Sequence, residues 1–144
     1  MDTSVFIAAE QQRPLGEPPA GEARISVATL TELGVGVRRA AGKAVLPLRE
    51  MTLARAQRFI ALPCDELVAQ RLADLLAAAG ASGRRAGVMD AMIAATALVH
   101  GLVIWTQDDD FGVLAELMPA LRVRLAGADP NARAARRSPG RAIG

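Results

Sequence analysis

The chain has 144 residues, enough for one domain whose core needs neither disulfides nor a structural metal. Hydrophobic residues make up 51% but aromatic ones only 3%, so the core is built from Ala, Leu, Val and Ile, which favours helices on a small sheet over an all-β sandwich. The single cysteine, Cys64, excludes an internal disulfide and a cysteine-based zinc cluster, and the formal net charge of +2 hides an excess of arginine near the end of the chain.

The opening "MDTSVFIAAEQQR" lacks the basic region and apolar stretch of a cleavable leader, and no apolar run approaches bilayer length, so a soluble cytoplasmic protein is expected. "SVFIAAEQ" reads as a helix that Ser4 could cap, followed by a Pro/Gly-rich loop, "QRPLGEPPAGE". "ARISVA" alternates and reads as a strand. Thr29 and Glu32 then form T-x-x-E, the capping-box pattern, opening a helix to about Arg39. Leu48 to Phe59 is a further helix, and "FIALP" a strand closed by Pro63. "DELVAQRLADLLAAAG" has an acidic start, a continuous apolar stripe and a terminal Gly, all marks of a helix. The turn "ASGRRAG" leads to a helix from Val88 to His100, stopped by Gly101. Strand "LVIWT", an acidic turn at Asp108 to Asp110, a short helix from Phe111 to Leu117 and strand "LRVRL" complete a domain spanning 1–125. Residues 126–144 carry Arg133, Arg136, Arg137 and Arg141 against Asp129, with Pro130 and Pro139, and read as a solvated, disordered basic tail.

Helices alternating with strands imply an α/β chain with a mostly parallel sheet, whose ligands gather at the carboxyl ends of the strands. Four places put an acid at that edge: Asp2, Glu32, Asp90 and the run Asp108 to Asp110. Asp90 shares a helical stripe with Ile93, Ala94 and Ala97, so it points inward, and a buried carboxylate is costly unless paired. No Lys or Arg occupies a matching position, which leaves a divalent cation as counter-ion. A donor set of oxygens alone suits Mg²⁺ or Mn²⁺ over Zn²⁺. Such a cluster holds hard cations against a phosphate and activates water for in-line attack, the chemistry of phosphodiester hydrolysis. Each acid also has a plainer role: Asp2 as a terminal polar group, Glu32 as the partner of Thr29, Asp90 as a helix-start acid.

"DTSVFIAAE", "VATLTELGVGV", "DAMIAATALVHGLVIWTQDDDF" and "RVRL" resemble, in order and spacing, the PIN-domain ribonucleases, in particular the VapC-type toxins of bacterial toxin–antitoxin pairs. The resemblance covers residues 2–125 and implies a three-layer α/β/α domain with Mg²⁺- or Mn²⁺-dependent endoribonuclease activity. It assigns the metal site and catalysis to Asp2, Glu32, Asp90 and Asp108, with Asp110 as a further acid and Ser4 and Thr106 as hydrogen-bonding support. It also implies a homodimer and a VapB-like antitoxin whose end reaches the acidic pocket. Members of this family carry a short apolar strand before D-T-S, whereas here only Met1 precedes Asp2. The first strand is therefore expected to be truncated and Asp2 to hang from a free terminus. That leaves two readings: an RNA-cutting toxin, or an inactive remnant that only binds an antitoxin. An aspartyl phosphatase is a weaker third, since serine stands where its second acid belongs.

His100 is expected to cap its helix, Cys64 to be buried, and Trp105 to belong to the core. Arg84 and Arg85 are candidates for RNA phosphate contacts or plain loop charges.

Overall fold

The computed structural model describes residues 1–127. In chain order the elements are α1 (Thr3–Glu10), β1 (Arg24–Ser26), α2 (Val27–Arg38), α3 (Val45–Ala56), β2 (Ile60–Leu62), α4 (Glu66–Ala81), α5 (Val88–Val99), β3 (Val103–Thr106), α6 (Asp110–Leu117) and β4 (Arg122–Leu125). Both strand pairs are parallel: β1 runs beside β2 with Ile25 opposite Ala61, and β3 beside β4 with Ile104 opposite Val123. Helices pack around these strands, so the α/β class and three-layer arrangement expected from the sequence hold. Among the described residues no helix is long and apolar enough to cross a membrane. From residue 128 on, the expected basic tail lies outside the described residues.

The main core joins α5 to α4 and α6. Small residues Ala91, Ala94, Ala95 and Ala97 let α5 lie close to Val68, Leu75, Phe111 and Leu114. A second cluster gathers Phe6, Ile25, Leu33 and Ala56, with Phe6 edge-on to Phe59. Large aliphatic and alanine side chains thus fill the interior, as the scarcity of aromatics requires.

The strands form two separate pairs, and Met1 and Asp2 lie between β1 and β3. The Met1 ammonium donates to Arg24 O at 2.7 Å, and the Asp2 N–H donates to Trp105 O at 3.0 Å. Beyond them lies a slot of about 250 Å³, lined by Arg24, Ile25, Ile93, Ala97, Val103 and Trp105 among others. Asp2 does not hang free. It is 3% exposed and tied to both strand pairs through Met1 and its own N–H.

Several local expectations are corrected. Asp2, not Ser4, caps α1 by accepting the Ser4 N–H. The capping box at Thr29 and Glu32 does not form, because α2 starts at Val27 behind Ser26, whose hydroxyl accepts the Ala28 N–H. Thr29 then lies inside the helix and donates to Met1 O. The strand within "ARISVA" is correspondingly short. α3 begins at Val45, ahead of Leu48, since Pro47 in a first turn removes only an N–H with no partner inside the helix. Cys64 is exposed, not buried, because it follows Pro63 in the loop leading to the Asp65 cap of α4. His100 does stand at the C-cap of α5.

Candidate active site

Asp2 sits where α1 begins and where the carboxyl end of β3 arrives. Its Oδ2 accepts from the Ser4 N–H at 3.1 Å, Ser4 Oγ at 2.5 Å and Thr106 Oγ1 at 2.8 Å. Ser4 Oγ in turn accepts the Gln107 N–H at 2.8 Å, so helix and strand end are joined through one hydroxyl. The expectation that Ser4 and Thr106 support a carboxylate is met at Asp2. All these bonds converge on one oxygen, leaving Oδ1 unengaged among the described residues.

The turn after β3 continues the chain of bonds. Thr106 Oγ1 accepts the Asp108 N–H at 2.9 Å, and Asp108 Oδ1 accepts the Asp110 N–H at 2.9 Å. Asp108 is therefore half-buried and fixed by local turn geometry, while Asp109 and Asp110 are exposed. Asp110 opens α6, where a carboxylate is favoured by the unpaired amides of the first turn.

Glu32 lies on α2, half-buried, and accepts from Thr3 Oγ1 at 2.5 Å. Burial raises its pKa above the ordinary value; the Thr3 bond works against this, and Asp2 and Asp108 add to the rise. Asp90 stands in the first turn of α5 and is pushed up to about 6, first by burial and then by the charges of Glu32, Asp2, Asp108 and Asp110. All five acids thus face one cleft and feel one another. Among the described residues none of the five forms an ion pair with Lys or Arg. Nor, among the described residues, do any three acids, histidines or cysteines approach closely enough to hold a metal ion as placed.

Thr3, which fixes Glu32, was missed in the sequence, although it is the middle residue of D-T-S; only a fold that lays α1 on α2 reveals its target. Arg84 is engaged with Glu116 at 2.5 Å, whereas Arg85 borders a small recess with Gly87, Asp90 and Asp110. Trp105 is core, 8% exposed. The slot between the strand pairs is not lined by any of the five acids.

A PIN-domain family profile matches residues 1–117. The chain is similar to ribonuclease VapC4 of Mycobacterium tuberculosis, 41% identical over 117 residues that cover 81% of this chain and 90% of that protein. It is also similar to a crystal structure of VapBC-5, a toxin–antitoxin system of the same organism, at 38% identity and a TM-score of 0.69, covering 86% of this chain and 93% of that one. FitAcB from Neisseria gonorrhoeae is a further structural relative, 26% identical, with a TM-score of 0.63 over 85% of this chain and 93% of that one.

Proposed function

The chain belongs to the PIN-domain family, and from that premise we propose that it is an endoribonuclease, the toxin of a toxin–antitoxin pair, using Mg²⁺ or Mn²⁺ held by Asp2, Glu32, Asp90 and Asp108. The observation that carries the metal reading is Asp90: a half-buried carboxyl pushed up to about 6, first by burial and then by four other carboxylates, with no cationic side chain in contact among the described residues. Five converging acids of this kind are an oxygen-only donor set suited to a hard divalent cation. When bound, such an ion supplies positive charge against the phosphate and lowers the pKa of water.

The protein's own part is positioning. Ser4 and Thr106 hold one oxygen of Asp2 and leave the other to face the cleft; Thr3 orients Glu32; the turn N–H of Asp110 fixes Asp108. Asp90 has no hydrogen bond to restrain it among the described residues, so it is the member freest to adjust to a cation. Arg85, at the rim beside Asp90 and Asp110, is placed to meet a backbone phosphate.

The partner reading follows VapBC-5, a member of a family of toxin–antitoxin systems, from which we extend an antitoxin partner to this chain, with the homodimer that the family resemblance implies. On α3, Val45, Leu48 and Met51 are exposed at a helical spacing of three, an apolar stripe that suits a partner helix.

Purified chain incubated with RNA and Mn²⁺ is expected to give products with 5′-phosphate and 3′-hydroxyl ends. Asp90→Asn should abolish cleavage while leaving the circular dichroism spectrum unchanged; undiminished cleavage by that variant sinks the mechanism. The split sheet favours the second reading, a chain that binds an antitoxin without cutting RNA. An inert parent chain that still captures its antitoxin decides for it.

A further inference from the structure

Gly87 stands at the N-cap of α5, three residues before Asp90, and its backbone does not explain it. Its φ of −62° and ψ of 135° are open to any L residue. Capping preference does not explain it either: Ser, Asn and Asp cap better than Gly by accepting an N–H of the first turn, and α5 has no side-chain cap bond. What singles out the position is space. A Cβ built on Gly87 would lie 2.5 Å from Asp90 Oδ2 and 3.5 Å from its Cγ. Side chains in a helix lean towards its N-terminus, so the Asp90 carboxylate folds back over the Gly87 Cα. Other glycines show the contrast: Gly80, in α4, has open space around the same built atom.

We infer that Gly87 is a positioning residue for Asp90: by having no side chain it leaves the room in which the Asp90 carboxylate turns towards Asp2, Glu32 and Asp108. This rests on the metal-site reading above and deepens it. Any larger residue at 87 rotates the carboxylate away from the other acids, which lessens its repulsion with them while removing one donor from a cation. Stability and cation binding should therefore move apart. A merely structural glycine would lower both together.

The test is Gly87→Ser, which also supplies the hydroxyl cap that α5 lacks, with Gly80→Ala as control. Mn²⁺ binding by calorimetry and Tm without metal are read for each. Gly87→Ser is expected to weaken Mn²⁺ binding about tenfold, the scale on which supporting groups act at metal sites, while Tm stays level or rises. Gly80→Ala should leave Mn²⁺ binding unchanged. In an Asp90→Ala background, where there is no carboxylate to displace, Gly87→Ser should change Mn²⁺ binding no further. Unchanged binding in Gly87→Ser, or a loss of binding matched by a fall in Tm, overturns the inference. If the parent chain takes up no Mn²⁺, the metal reading fails and a crystal structure of Gly87→Ser decides the inference alone. Asp90 turned away from Asp2 and Glu32 supports it, and Asp90 unmoved refutes it.

Discussion

Asp90 carries the site's pH signature. Its carboxyl is pushed from an ordinary 3.8 to about 6 in the folded chain. The folded state therefore binds this proton more tightly than the unfolded state, so the protonated form favours folding. That contribution is complete below the ordinary value and is lost as pH rises through the folded one. Asparagine at this place mimics the protonated acid at every pH. Asp90→Asn should thus match the parent in Tm near pH 4 and exceed it above about pH 6.5, by a margin that solvent screening of a half-exposed group keeps modest. A difference in Tm that does not change with pH refutes the assigned cause. Millimolar Mn²⁺ should raise the parent's Tm at neutral pH and leave that of Asp90→Asn much less affected, because a ligand stabilises only the state that binds it. Asp2, Asp90 and Asp108 were candidates in the sequence because each falls at a strand end or helix start, near the edge where ligands gather, and Glu32 was one through a capping box that does not form. Thr3 and Gly87 were not, since their roles depend on distances across elements that no local pattern encodes.

At the scale of elements, the order of helices and strands followed from periodicity, while the boundaries shifted where two candidate caps competed. Ser26 and Thr29 both precede an apolar stripe, and the earlier one wins because it lets Ala28 and Leu33 enter the interior from a helix already formed. Glu10 was equally hidden. At the end of α1 its side chain is 3% exposed, paired with Arg49 at 3.1 Å and accepting from Thr52 Oγ1 at 2.7 Å, so one carboxylate ties α1 to α3. An opposite-charge partner on another helix, far along the chain, leaves no trace in local spacing. Removing one partner of such a pair strands the other, at a cost of about 3 kcal/mol. Glu10→Ala should shift the urea midpoint accordingly, whereas Arg71→Ala, which breaks an exposed pair with Asp74, should cost below about 1 kcal/mol. Equal midpoints for the two variants would mean that the clamp between α1 and α3 contributes nothing.

At the scale of the whole molecule, the sequence gives no warning of how the two strand pairs meet, because pairing partners and register depend on contacts far apart in the chain. The hydrogen bonds show which groups are affected. Along β3, Trp105 O accepts from Asp2 on the slot side, while Thr106 O accepts the Ala126 N–H on the β4 side. Peptide groups alternate sides along a strand, so Ile104 and Thr106 face β4, and Val103 and Trp105 face the slot. Among the described residues no backbone bond reaches Val103 from that side. Amide exchange should therefore be unequal within one four-residue strand, with Val103 exchanging much faster than Ile104 or Thr106. Asp2→Ala should spread the effect. It removes the carboxylate that Ser4 and Thr106 hold, and so loosens Met1 and Asp2, which bond to both pairs. Protection at Ile104 and Thr106 should then fall together while that of α4, which lines no part of the slot, persists. Loss of protection in α4 to the same extent would show instead that the two strand pairs and the helical core open as one unit.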